Sequence, residues 1–225
     1  MLNKIKLLDG AMGSELIKRG LIPHEYTWTS NANIEVQEMV YDIHAEYVDS
    51  GSHYLTTNTF RSTPRSYAKL GLSIGNASII AKKSLENAVK IAKKASSNKC
   101  KILGSIAPLE DCYKPELFPG RKIALSEFNT IGSWFYESDI DIFLIETMNS
   151  IDETKACLDA LSSFNKRKWV SFTLKSNKHI LSGESLIDVM KLLDNYNIEV
   201  LLINCTTLKT TSEAIYTISK NWTKR

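Results

Sequence analysis

Glu199-Val200-Leu201-Leu202-Ile203-Asn204-Cys205-Thr206-Thr207 is the stretch on which the reading of this chain turns. The apolar run from Val200 to Ile203 has the length and composition of a strand buried on both faces, as in a parallel sheet. It stops at Asn204 and Cys205, and a helical segment, about Thr211 to Asn221, follows. In open α/β sheets and β/α barrels, chemistry gathers where strands end and loops begin. A thiol at such a place is either a small core residue or a ligand, and the rest of the chain must decide which.

Working outward from it, the same strand-then-helix pattern recurs. Strands are expected at Lys4 to Leu8, Tyr54 to Thr57, Lys101 to Gly104, Asp141 to Ile145, Trp169 to Thr173 and Val200 to Asn204. Helices are expected at Gly13 to Arg19, at Asn33 to Ser50 with Asn33 as N-cap, and at Ala77 to Ala95. Three more follow at Leu125 to Glu137, Ile151 to Phe164 and Glu184 to Asn195. Ser105 to Lys122 reads as a long loop. Strict alternation of this kind forces parallel strands with helices outside. The expected fold is α/β, a (β/α)8 TIM-barrel type that is incomplete, with six of eight units in a single domain over 1–225. The first and sixth strands would then present open edges, to be met by a second copy or a complementing chain.

Composition sets the class. The chain is 43% apolar and 24% charged, with a net charge of +3, as expected of a soluble globular protein. The basic groups Lys82-Lys83, Lys93-Lys94 and Lys166-Arg167-Lys168 are scattered and lack interleaved aromatics, which argues against nucleic-acid binding. No apolar run suits a signal peptide or a membrane span, so a cytoplasmic protein is expected. The four cysteines, Cys100, Cys112, Cys157 and Cys205, are irregularly spaced and read as reduced thiols.

Strand ends bring a small polar set to one face: Asp9-Gly10, Thr57-Asn58-Thr59, Ser105, Glu146-Thr147, Thr173 and Asn204-Cys205. Asp9 and Glu146 suit an ammonium group. Backbone N–H groups beside Gly10 suit a carboxylate, which can approach closely where no side chain intervenes. Together with a thiol these describe an amino-acid site. The plainer readings are a turn at Asp9-Gly10, a salt bridge at Glu146 and inert packing at Cys205.

Leu8-Asp9-Gly10-Ala11-Met12-Gly13-Ser14-Glu15 resembles the opening strand and turn of the homocysteine S-methyltransferase family. The stretch Gly51 to Phe60, then Gly104 to Pro108, Phe143 to Thr147, Ser171 to Thr173, Leu181 to Leu186 and Ile203 to Cys205 follow in that family's order, over essentially the whole chain. The resemblance implies methyl transfer from a small donor, of the S-methylmethionine or betaine type, to homocysteine, giving methionine. It also implies a zinc ion held by three cysteine thiolates, which binds the acceptor thiol and deprotonates it. By position, Cys205 matches the first zinc ligand. Asp9, Gly10 and Glu146 match residues that hold the substrate's amino-acid end, and Thr57, Asn58 and Asn204 match the pocket lining.

The sequence departs from the family in having no adjacent cysteine pair for the other two ligands, and in placing Leu202 where the family has glycine. Cys112 and His179 fall in loops after the third and fifth strands, and a Cys112–His179–Cys205 zinc site is a weaker option. The isolated chain is therefore expected to bind zinc and turn over poorly. The alternative is a non-catalytic amino-acid-binding protein, or a subunit that needs a partner chain to complete barrel and metal site.

Overall fold

Strand β3, Ile142–Met148, is buried at every position except the half-buried Glu146. Such a run has no polar face to offer water, so it must lie inside a sheet covered on both sides. The computed structural model describes residues 5–222. In chain order it contains α1 (Met12–Lys18), α2 (Ala32–Glu35), α3 (Gln37–Asp49), β1 (Tyr54–Thr56), α4 (Pro64–Ala68), α5 (Ile74–Ser96), β2 (Lys101–Ile106) and α6 (Arg121–Glu137). After β3 come α7 (Ile151–Ala160), β4 (Arg167–Phe172), β5 (Leu174–Ser176), β6 (His179–Ile180), α8 (Leu186–Asp194), β7 (Ile198–Ile203) and α9 (Leu208–Asn221). The main sheet has five strands in the order β1-β2-β3-β4-β7, and β5 with β6 forms a separate antiparallel ribbon. Among the described residues no helix is long and apolar enough to cross a membrane.

The chain divides into two compact units, residues 1–105 with 134–142, and residues 106–133 with 143–225. In the first, β1 pairs with β2 in parallel, Leu55 opposite Ile102. Its long helix α5 buries Ala77, Ala81, Leu85, Ala88, Val89 and Ala92, a stripe at three- and four-residue spacing. Ser73 caps the helix by accepting from the Asn76 N–H, and Ser97, at φ 45°, ends it in the left-handed region. Met12, Leu16, Val40 and Ile43 close the core beside Ile91, each full burial worth about 1.5–3 kcal/mol.

In the second unit β4 pairs with β7 in parallel, with Ser171 opposite Leu202 and Phe172 opposite Ile203. Helices α7, α8 and α9 start alike: Ser150, Ser185 and Thr207 accept from the N–H three residues on. Glu153 stands where a capping box would have its carboxylate, but it is 2% exposed and accepts from the Leu109 N–H at 2.8 Å. It thereby ties down the chain that leaves β2.

Several expectations are corrected. Val200 to Ile203 is half-buried, not buried, because β7 lies at the edge of the sheet and pairs with β4 alone. The expected first strand starts at Lys4, outside the described residues, and is reduced to a single parallel bridge between Leu8 and Tyr54. Asn33 is no N-cap: it sits buried inside α2, and Val36 (φ −137°, ψ 51°) breaks the expected long helix in two. Helix α4 and the β5–β6 ribbon were not legible as elements. Part of the expected loop from Ser105 to Lys122 is β2, a 3-10 turn at Pro115–Leu117 and the start of α6.

Candidate functional site

Within the second unit, residues at the ends of β3 and β7 meet. Thr147 at the end of β3 has φ 56°, and Cys205 just after β7 has φ 51°. For non-glycine residues these left-handed backbones cost about 1–3 kcal/mol each, more readily for a β-branched threonine. Around Cys205, hydrogen bonds hold the turn. The Asn204 N–H continues the ladder onto the Phe172 carbonyl at 3.2 Å. Thr173 Oγ1 donates to the Cys205 carbonyl at 3.2 Å, and Thr206 Oγ1 donates to the Asn204 carbonyl while accepting the Leu174 N–H.

Asn204 is the hub of this corner. Its Nδ2 donates to Glu146 Oε2 at 3.0 Å and to Thr147 Oγ1 at 2.8 Å, and its Oδ1 accepts from Ser171 Oγ at 2.8 Å. A carboxylate only accepts, so Glu146 dictates which end of the amide faces it. Cys205 Sγ lies 3.9 Å from Thr147 Oγ1. Tyr113, on the loop after β2, reaches the same sulfur. Partial burial pushes its phenol up to about 12, and the Cys205 and Cys112 sulfurs add to the shift.

The thiols separate cleanly. Cys205 is exposed, whereas Cys100, Cys112 and Cys157 are buried. Cys100 Sγ donates to the Ser52 carbonyl. Burial, and then the Glu153 carboxylate, push the Cys157 thiol well above its ordinary range. Inert packing is therefore not the role of Cys205. His179 stands exposed on β6 with Nδ1 3.1 Å from Ser176 Oγ. Among the described residues no group of three or more His, Cys, Asp or Glu is placed to hold a metal, so a Cys112–His179–Cys205 site is not assembled.

The first unit places its expected site residues in a different setting. Asp9 accepts from the Thr56 N–H at 2.6 Å and the Thr56 hydroxyl at 2.8 Å, clamping the turn onto β1. Thr57 Oγ1 accepts from the Ser105 N–H and meets Thr59 Oγ1 at 2.8 Å. Asn58, 5% exposed, spends its side chain inside the protein on Thr29 and Asn33. Gly10 owes its identity to Tyr47: a Cβ there would lie 2.5 Å from Tyr47 Oη and 2.7 Å from Cε1. Tyr47 is half-buried and packs against the core cluster of α1 and α3, so its ring must shift out of that contact to admit a Cβ. Gly10→Ala is expected to lower stability by about 2 kcal/mol in a urea titration, and a change under a few tenths would show that the ring moves aside at little cost.

Sequence reasoning placed Thr147 at this face but missed Ser171 and Tyr113 as parts of the corner. Ser171 carried one faint signal, a lone hydroxyl in the apolar run Trp169 to Phe172. The left-handed backbones at Thr147 and Cys205 carried none.

A family model described as homocysteine S-methyltransferase matches residues 6–225. The chain is 27% identical to the homocysteine S-methyltransferase of Escherichia coli, covering 94% of this chain and 72% of that protein. It is 29% identical to the homocysteine S-methyltransferase YbgG of Bacillus subtilis, covering 97% and 74%. Among solved structures, the metallated form of the homocysteine methyltransferase MmuM from Escherichia coli superposes with a TM-score of 0.88 at 26% identity, covering 98% of this chain and 81% of that one. With a match over nearly its full length, and strand ends that carry Glu146, Asn204 and Cys205 in the expected order, the chain belongs to the homocysteine S-methyltransferase family.

Proposed function

We propose that this chain binds homocysteine as acceptor of a methyl group from a small onium donor, of the S-methylmethionine or betaine type, with methionine as product. The observation that carries the reading is the second unit's corner: an exposed thiol beside a carboxylate that Asn204 holds at 3.0 Å. Glu146 receives the substrate ammonium, and Asn204 fixes the carboxylate. Asp9 and Gly10 hold the turn that precedes α1 against β1, and Thr57 and Asn58 hold the turn after β1. In the reaction the acceptor thiol gives up its proton to solvent, its sulfur forms the new S–CH3 bond, and the donor's methyl–onium bond breaks with its electron pair left on the now neutral donor heteroatom. Positioning for in-line attack is the protein's main contribution.

The family's zinc is a poor fit to the residues described. Catalytic zinc takes three protein ligands, and among the described residues no group of three or more His, Cys, Asp or Glu gathers around the exposed Cys205 thiol. No step is drawn through the metal. In keeping with this, the 225-residue chain is expected to retain clearly less than one zinc per chain after dialysis, and to form methionine from S-methylmethionine or betaine at trace rates. Stoichiometric zinc with steady turnover would show that the ligand set lies elsewhere. Calorimetry with L-homocysteine tests the binding half directly: measurable affinity that falls at least tenfold in Glu146→Gln supports the assignment, and no affinity in the parent chain removes it.

A further inference from the structure

We infer that Ser171 is a positioning residue for the ammonium end of the substrate, acting through Asn204 on Glu146. The inference rests on the proposed role of Glu146 and deepens it. Ser171 lies on β4, 2% exposed, between Val170 and Phe172, which are fully buried. A buried hydroxyl is unfavourable unless it is hydrogen-bonded, and here it donates to Asn204 Oδ1 at 2.8 Å.

That contact completes a three-point grip. Both Asn204 N–H groups are engaged, one by Glu146 and one by Thr147, and the amide oxygen is engaged by Ser171. A short side chain held at three points on β3 and β4 has a fixed plane. The Nδ2–Oε2 contact therefore fixes where the Glu146 carboxylate stands. Without the Ser171 hydroxyl the amide loses its anchor on β4 and is held only through Nδ2, so the support that Asn204 gives the carboxylate is loosened. Ser171 touches no substrate in this account, and its effect is confined to ligands that bring an ammonium group.

The test measures the affinity of the full 225-residue chain for L-homocysteine and for γ-mercaptobutyrate, the same molecule without its amino group. Ser171→Ala is expected to weaken L-homocysteine about five- to tenfold and to leave γ-mercaptobutyrate within about twofold. Ser171→Thr, which keeps the hydroxyl, is expected to restore most of the loss. In a Glu146→Gln background, Ser171→Ala is expected to add nothing, because the group it positions is gone. Equal weakening of both ligands would mark Ser171 as merely structural and overturn the inference, as would no weakening at all. If Glu146→Gln weakens L-homocysteine but Ser171→Ala does not, the positioning role alone fails. If Glu146→Gln changes nothing, or the parent chain binds neither ligand, the reading of Glu146 fails and the inference falls with it.

Discussion

Asn58→Leu is expected to lower the unfolding free energy by about 4 kcal/mol, the largest effect anticipated for a single substitution in this chain. Asn58 Oδ1 accepts from Thr29 Oγ1 at 2.9 Å, and its Nδ2 donates to the Thr29 carbonyl at 2.9 Å and to Asn33 Oδ1 at 3.1 Å. Asn33 returns a bond from Nδ2 to the Asn58 carbonyl at 2.7 Å and donates to Ser84 Oγ at 3.1 Å. Ser84 in turn donates to the Ser30 carbonyl and meets Ser62 Oγ. Every one of these groups is buried. Leucine would leave the Thr29 carbonyl and hydroxyl and the Asn33 amide oxygen without their Asn58 contacts, at about 1–3 kcal/mol for each group left unsatisfied. Urea titrations with an unchanged slope would report the loss as a lower midpoint. A loss under about 1 kcal/mol would mean that the network re-forms around the gap. Asn58→Asp is the sharper variant: it keeps the shape but sets an acceptor against the Thr29 carbonyl, so it should be at least as damaging.

The second large effect is one of pH. His44 on α3 is fully buried, and among the described residues neither ring nitrogen has a hydrogen-bond partner. Burial lowers its pKa from 6.5 to about 4. The sign follows from proton counting. Between about pH 6.5 and pH 4 the unfolded chain holds a proton on this ring that the folded chain does not, so stability rises with pH across that window. The contribution is whole above pH 6.5, fades as pH falls, and is spent near pH 4. A shift of this size corresponds to about 3 kcal/mol in total, of which about 2 kcal/mol disappears between pH 7 and pH 5. His44→Leu is expected to remove that part of the pH dependence and to stabilise the fold at pH 5 relative to the parent. Melting curves of the two proteins from pH 7.5 to 4.5 would check it. Parallel curves would show that the ring is protonated in the fold and has a partner.

Carboxylates contribute in the same direction but at lower pH. Glu199 is held below its ordinary range first by Arg167, which grips it with two bonds of 2.6 Å, and then by Trp169 Nε1. Stability from this group is present above the unfolded carboxylate value and is lost only as pH falls further. Because the pair is solvent-exposed, its share is about 1 kcal/mol at most. The window between pH 7 and pH 5 therefore isolates His44.

The apolar runs and their spacing made the strand–helix alternation readable, because a strand buried on both faces and a helix with one apolar stripe each leave a local trace in the chain. Asn204-Cys205 was readable as a strand-end group for the same reason, since a polar pair directly after such a run marks where the strand stops, whereas Glu146 lies inside β3 with Thr147 and Met148 still to follow. Asn33 shows the limit of that logic. Next to a helix start it looks like a cap, but its partners are Asn58, 25 residues away, and Ser84, 51 residues away. Nothing near Asn33 in sequence announces them.

Unaided, then, the sequence determined the class of fold and the strand ends, since both follow from local composition and order, and its ordered motifs carried the resemblance to the family. Tertiary structure alone decided that Cys205 is the exposed thiol, that Thr147 and Cys205 adopt left-handed backbones, that β7 is a half-buried edge, and that Ser171 reaches Glu146 through Asn204. Each of these depends on which distant segments are brought within hydrogen-bond reach. That is set by how strands pair and loops close, and no short window of the chain contains it.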